Sequence, residues 1–418
     1  MDKQVLIILL ICVGMLMTDK FVISGIRTAL NKWKFAQTRL FTTSYWIISL
    51  ALIACAWTGM FISAGLGLRA GFLIIFFYGL ISKVLFLLFV IADAVIKKYR
   101  TNAKKMKSVP SAKTVQKDVI PRSEFLLKAG LLAGAVPLAG IGYGTISGSV
   151  YDYHVKHRTL YLPNLPKAFD GIRIGQISDI HSGSFYNKKA VLGGVEMLLR
   201  EKSDLIFFTG DLVNDLSGEM RDYQDIFSKV KAPLGVFSSM GNHDYGNYVD
   251  WPNYAAWRKN ILEIETTHKH MGWDLLLNTN RRLKVGGEEI GILGVENWSA
   301  VSVNQKHGRL DLAVKNTDDL PVKLLLSHDP SHWRAQVLPH YPQIDMMFSG
   351  HTHGMQMGVR TPDFQWSPIE YIYKEWAGHY QEGRQQLYVN VGYGFLGYPG
   401  RLGILPEITI FELKSKIA

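Results

Sequence analysis

Histidine is missing from the first 149 residues of this 418-residue chain, and cysteine from all but two positions of the whole. Both cysteines, Cys12 and Cys55, sit in apolar stretches, so residues 150–418 contain neither a disulfide nor a thiolate metal site. Metal ligation there falls to oxygen and nitrogen. Acidic residues are scarce at the front. Residues 1–149 hold 5 Asp/Glu against 18 Lys/Arg, a local +13 in a chain of net +11, which leaves −2 for the rest. A rear part with that balance offers no general nucleic-acid surface, and no nucleic-acid partner is expected.

Charge is absent altogether from residues 40–68. Within that stretch Tyr45–Leu66 is long enough to cross a bilayer, which takes about 20 apolar residues. Gly71–Val95 is a second span with Lys83 near its middle, where snorkelling or a partner such as Asp93 is the expected explanation. Val5–Met17 is shorter and ends at Asp19-Lys20, so it spans only if those charges reach an interface or pair inside the bundle. Ala129–Tyr151 is uncharged and rich in Gly and Ala. Its lead-in, Pro121–Lys128, looks like a degraded twin-arginine export signal with a single arginine.

The expected organisation is transmembrane helices over 1–96 (three), a basic cytoplasmic linker over 97–122, a last transmembrane helix over 123–150 and a globular domain over 151–418. Residues 97–122 carry nine Lys/Arg, and the first loop carries Arg27, Lys32, Lys34 and Arg39; the loop between the two clearest spans has only Arg69. Basic loops stay in the cytoplasm, which puts the rear domain outside. The same cationic run also suits membrane lipid headgroups, although topology determinant and linker is the simpler reading.

From Tyr151 onward short apolar runs alternate with longer amphipathic ones. Five of those runs read as strands, and each stops at a polar group: Asp179-Ile180-His181, Gly210-Asp211, Gly241-Asn242-His243-Asp244, Ser327-His328-Asp329 and Gly350-His351-Thr352-His353. In layered α/β sheets ligands bind at the carboxyl ends of strands, so these groups converge. Glycines on either side of His351-Thr352-His353 free the backbone to turn sharply, and two imidazoles one residue apart suit two adjacent metal ions better than one. Single residues have blander readings. His332, His340, His379 and Asp329 are expected to be surface, capping or hydrogen-bonded residues without a ligand role.

The ordered set D-x-H, G-D-x-x-D, G-N-H-D, a lone His and G-H-x-H resembles the calcineurin-like metallophosphoesterases, membrane-anchored bacterial branch, over roughly Tyr151–Leu413. The second block, Asp211-Leu212-Val213-Asn214-Asp215, is one residue longer than the family spacing, which puts the role of Asp215 in doubt. The resemblance implies an α/β fold, a four-layer αββα sandwich behind an α-helical transmembrane bundle. It also implies two divalent or trivalent metal ions, Mn, Fe or Zn, because oxygen and nitrogen ligands without sulfur do not choose among them. By the same carry-over Asp179, His181 and His353 hold one ion, Asn242, His328 and His351 hold the other, and Asp211 bridges. His243 protonates the leaving oxygen, and Asp244 fixes its tautomer. Arg401 is the candidate for a substrate phosphate, with a structural ion pair as the alternative.

Two ions about 3.5–4 Å apart lower the pKa of bound water and clamp a phosphate. The expected protein is therefore a phosphodiester hydrolase using metal-activated hydroxide, integral to the bacterial inner membrane with its catalytic domain extracytoplasmic. Its candidate substrate is a lipid-linked phosphoester or envelope precursor. A phosphomonoesterase or nucleotidase, and an inactive metal-bound membrane scaffold, are the alternatives. The aromatic stretches Tyr245–Trp257 and Phe364–Tyr380 are expected to be mainly core, with a substrate pocket or bilayer contact as the other use.

Overall fold

The computed structural model describes residues 3–61, 66–106, 122–302 and 306–415. The chain forms two compact units, Met1–Tyr143 and Gly144–Ala418.

Four long apolar helices dominate the first part: α1 (Lys3–Ala29), α2 (Arg39–Phe61), α3 (Leu66–Met106) and α4 (Arg122–Ile146). All four are long and apolar enough to cross a membrane. Leu10, Met17, Ile48 and Leu132 stay exposed, whereas Cys12, Met15, Ala56 and Phe76 pack inside, as suits helices whose outer solvent is lipid. The first helix is longer than its apolar run implies, because Asp19 does not end it. Asp19 is fully buried and meets Lys83 Nζ at 2.6 Å, while Ser49 Oγ and Tyr45 Oη donate to its carboxylate at 2.6 and 2.7 Å. Asp93 is therefore not the partner of Lys83; it pairs one turn on with Lys97, at 2.7 Å. The helix α3 also runs into the expected linker as far as Met106, and residues 107–121 of that linker lie outside the described residues.

Among the described residues the second unit contains fourteen strands, two of them in a small hairpin. They are β1 (His154–Leu162), β2 (Arg173–Ile177), β3 (Leu205–Thr209), β4 (Val236–Ser239), β5 (Asp274–Leu275), β6 (Thr279–Val285), β7 (Glu288–Gly294), β8 (Lys323–Leu326), β9 (Met346–Ser349), β10 (Val359–Arg360), β11 (Gln365–Trp366), β12 (Gly378–Glu382), β13 (Gln385–Val389) and β14 (Glu407–Ser415). One six-stranded sheet has the order β1-β14-β2-β3-β4-β5 and the other β12-β13-β9-β8-β7-β6; β10 and β11 pair separately.

Alternation along each strand decides the layers. Leu205 and Phe207 of β3 join Leu324 and Leu326 of β8, Met346 and Phe348 of β9, and Phe411 of β14 in one core between the sheets. Ile206 and Phe208 face the other way, into a core shared with Val191, Val195 and Leu198 of α5 (Lys188–Arg200). Leu325, Met347 and Leu387 face a third core around Trp333 and Val337. Strands covered on both faces must be apolar at every position, which is why their sequences run unbroken. The result is the expected αββα sandwich. Strands β2, β3 and β4 run parallel, as do β7, β8 and β9, so the segments that leave their carboxyl ends gather at one edge.

Candidate metal centre

That edge brings together all seven residues expected to bind metal. Asp179, His181 and His353 form one buried group and Asp211, His328 and His351 a second; within each group the potential ligand atoms lie within 4.8 Å of one another. His181 Nε2 and His353 Nε2 are 3.0 Å apart, with Asp179 Oδ1 at 3.4 Å from the latter. In the second group His328 Nε2 is 3.0 Å from Asp211 Oδ2, and His351 Nδ1 faces Asn242 Oδ1 at 2.8 Å. Asp211 Oδ2 is also 3.5 Å from His181 Nε2, so this one oxygen stands between the groups.

The backbone is strained to achieve this. Asp179, His181, Asp211, His351 and His353 all have positive φ, between 48 and 75°. Each such residue costs on the order of 1–3 kcal/mol and persists only where its surroundings enforce it. The neighbouring glycines are steric necessities. A Cβ at Gly350 would strike the Asp179 carboxylate, and one at Gly241 would strike that of Asp211.

Electrostatics make the groups suited to cations. Burial depresses His181 to about 3, and burial with the neighbouring His181 and Arg401 holds His353 well below its usual value, so both rings keep free lone pairs at neutral pH. Burial raises Asp179 to about 7. Burial also favours the neutral acid at Asp211, but the imidazoles of His328, His243 and His181 outweigh it and hold that carboxyl well below its usual range. Burial opposes charge on His328, yet Asp211 carries it to about 10: a proton sits where a cation would serve the same carboxylate. His328 Nδ1 donates to Thr209 O at 2.7 Å, which leaves Nε2 aimed inward. Buried carboxylates, neutral rings and converging lone pairs fit two metal ions.

Two expectations need correction. Asp244 does not touch the His243 ring. Its oxygens accept the backbone N–H groups of Asp211, Leu212 and Gly241 at 2.8–3.0 Å, so it braces the two ligand loops. The ring's Nδ1 is instead 2.7 Å from Asn214 O. Arg401 is not presented to solvent. It is 1% exposed, and its guanidinium donates to the carbonyls of Val391, Gly394 and Ile404, with His353 Nδ1 at 3.3 Å. Asp329 reads as expected, capping a turn by accepting from Ser331 N at 2.8 Å; its other oxygen accepts from Tyr373 Oη at 3.2 Å and lies 3.6 Å from His351 Nε2. His332 does read as expected: it is buried between Ser327 Oγ and Gln336 Oε1.

Tyr373 and Tyr248 are the neighbours that sequence reasoning left unassigned. Tyr373 Oη is 2.7 Å from His351 Nε2. Tyr248 accepts from Asn242 Nδ2 at 2.9 Å and stacks on His243 with ring centroids 4.5 Å apart. Both belong to the aromatic stretches, which were the only available signal. Asp215 joins neither group. It accepts from Tyr248 N at 3.2 Å, and burial raises it to about 7.

Known proteins resemble this chain in both of its parts. The family model described as calcineurin-like phosphoesterase matches residues 172–355, and one described as probable calcineurin-like phosphoesterase, transmembrane domain, matches residues 3–149. The chain belongs to the calcineurin-like metallophosphoesterases and is a metal-dependent phosphoric ester hydrolase. Within that family it is a membrane protein, with the catalytic domain behind a four-helix transmembrane domain. The chain is 28% identical over 296 residues to the uncharacterized metallophosphoesterase YkuE of Bacillus subtilis, covering 68% of this chain and 94% of that one. It is 26% identical to the phosphodiesterase YaeI of Escherichia coli, covering 66% and 93%. It is 28% identical to the UDP-2,3-diacylglucosamine pyrophosphatase LpxG of Chlamydia trachomatis, covering 48% and 70%.

Proposed function

We propose that this protein hydrolyses a phosphodiester carried by a lipid or lipid-linked envelope precursor at the outer face of a bacterial inner membrane. The observation that carries the hydrolytic reading is Asp211 Oδ2, placed 3.0 Å from His328 Nε2 and 3.5 Å from His181 Nε2. An anion shared between two sets of converging ligands is what two neighbouring cations require. Asp179, His181 and His353 would hold one cation and Asn242, His328 and His351 the other, with the Asp211 carboxylate between them. Bound manganese, iron or zinc supplies Lewis-acid charge and a water of lowered pKa.

The chain's own residues do the rest. Asn214 O fixes the His243 tautomer with the proton on Nδ1, so Nε2 is the atom that exchanges a proton with the leaving oxygen. Burial lowers the ring's affinity for that proton, which favours its delivery. Tyr373 and Asp329 orient His351, and Tyr248 orients Asn242. The lipid reading draws support from the transmembrane helices and from two relatives, one named a phosphodiesterase and one named for a diacylated sugar nucleotide.

The test is a phosphoester panel on the purified full-length protein, with bound metal measured on the same sample. Two metals per chain and faster cleavage of a lipid diester than of nucleoside monophosphates are expected. Faster cleavage of monophosphates moves the assignment to a phosphomonoesterase or nucleotidase. Absence of turnover with both metals bound leaves the scaffold reading.

A further inference from the structure

Met355–Ile372 is a long excursion anchored at both ends in the metal centre. His353 lies two residues before it, and Tyr373, on His351, immediately follows it. Its middle is pinned by the β10–β11 pair and by Ser367 Oγ donating to Gly354 O at 2.8 Å. Its side chains face the wrong way for a soluble surface: Met355, Val359, Phe364, Tyr371 and Ile372 are 46–78% exposed, and Trp366 36%. The neighbouring Tyr373 and Trp376 are buried in a small core with Ile404, so the aromatics of this stretch divide into an inner set and an outer set. Exposed apolar groups gathered in one segment beside an active site mark a binding surface.

The position of the excursion within the catalytic unit points to what covers that surface. That unit begins at Gly144, inside the last turn of α4, so the exit from the last span is part of it. Ser149 Oγ accepts from Arg401 N at 2.9 Å and donates to Gly144 O at 3.0 Å. The Tyr398–Leu402 loop in turn holds the excursion: Gln356 Nε2 donates to Tyr398 O and Gly400 O at 2.8 and 3.0 Å, and Gly358 N donates to Leu402 O at 2.9 Å. A few hydrogen bonds thus join the membrane exit to the exposed aromatics. Aromatic and aliphatic side chains presented there match the headgroup layer of a bilayer, where such rings settle.

We propose that Met355–Ile372 is a membrane-dipping collar: Phe364, Trp366, Tyr371 and Ile372 enter the interfacial layer and hold the mouth of the metal centre against lipid headgroups. This rests on the lipid-substrate reading for its purpose, but not for its test. The probe is an environment-sensitive fluorophore on Phe364→Cys or Tyr371→Cys in full-length Cys12→Ser/Cys55→Ser protein, reconstituted in phospholipid vesicles, with Glu196→Cys on α5 as control. At 364 and 371, nitroxide-labelled lipids should quench the label at least about twofold more than at 196. Equal quenching at all three sites overturns the collar.

The second measurement uses Phe364→Ser/Tyr371→Ser/Ile372→Ser. Its kcat/KM on a vesicle-borne lipid diester should fall about tenfold, the effect of losing surface presentation, with bis(p-nitrophenyl) phosphate in solution unaffected. Unchanged rates on both substrates, or equal losses on both, contradict the collar. If the wild-type protein cleaves no lipid diester, the substrate reading fails, and the quenching still decides whether the segment dips.

Discussion

The two units bury charge in opposite ways. In the helical unit Asp19 has a lysine, a serine and a tyrosine within 2.7 Å, and nothing further is needed to satisfy it. In the catalytic unit Asp179 and Asp211 are as deeply buried but are surrounded mainly by imidazoles that burial keeps neutral, with a proton on His328 standing in a cation's place. A closed network of opposite charges stabilises a fold only when both partners are present. A cluster of anions and lone pairs is complete only with an external cation. Counting buried ionisable residues does not distinguish these cases; asking whether each charge finds its counter-charge inside the chain does.

The comparison breaks most directly at Asp211. Asp211→Asn removes the charge between the two ligand groups, so at least one metal should be lost. Turnover should fall by more than the roughly 10–100-fold typical of outer-shell changes. Metal analysis and kcat on one preparation check this; full activity with two metals bound refutes the bridging role. His243→Asn should instead retain both metals and slow substrates with poor leaving groups by about 10²–10⁴-fold. Nitrophenyl esters, which need little protonation, should lose much less, and equal losses on both kinds of ester assign His243 to binding.

The helical unit should answer differently. Lys83→Met leaves a buried, unpaired Asp19 and should cost about 3–5 kcal/mol, read as a lower Tm of the detergent-solubilised protein. Adding Asp19→Asn should restore most of that loss. Neither variant should alter kcat on a soluble diester; a fall in kcat with unchanged Tm would make the pair functional. Tyr373→Phe tests the opposite end of the scale inside the metal centre. It removes one hydrogen bond to His351 and should weaken metal affinity or activity by about 10–100-fold. A wild-type metal titration in that variant would show that Asp329 orients the ring alone.

Much of the catalytic fold is legible because its central strands are buried on both faces and end in ligand residues, as at Phe208-Thr209-Gly210-Asp211. What was not legible depends on backbone or on distant pairing. The partner of His243 is the carbonyl of Asn214, and a carbonyl is present at every position whatever the side chain. The family resemblance made Asp244 the partner, yet the turn aims it at the N–H groups of the neighbouring loop. Arg401 carries the charge of a phosphate ligand, but surrounding carbonyls consume its donors. Asp19 and Lys83 are 64 positions apart on separate helices, beyond the reach of any local pattern. The aromatic stretch after His353 contains both core and surface rings, and composition alone does not sort Trp376 from Tyr371.

The smallest expected effect concerns a buried ring that belongs to neither charge system. His268, on the helix Tyr254–Met271, packs beside Phe208 and Trp273 with Nδ1 3.0 Å from Ser238 Oγ. Burial lowers its pKa to about 3, whereas an unfolded histidine titrates near 6.5. Between those values the unfolded chain binds a proton that the folded ring refuses. The stability from the neutral buried ring is therefore full above about pH 6.5 and is lost as the pH falls toward 3. The slope approaches one proton, so stability should drop by about 1 kcal/mol between pH 6 and 5 on account of this residue. The metal centre also loses ligands in acid, so the informative quantity is the difference between wild type and His268→Gln in metal-free protein. The variant's Tm should be less sensitive to pH over that unit. Parallel pH profiles for the two proteins would mean that His268 is protonated, or solvated, in the folded state.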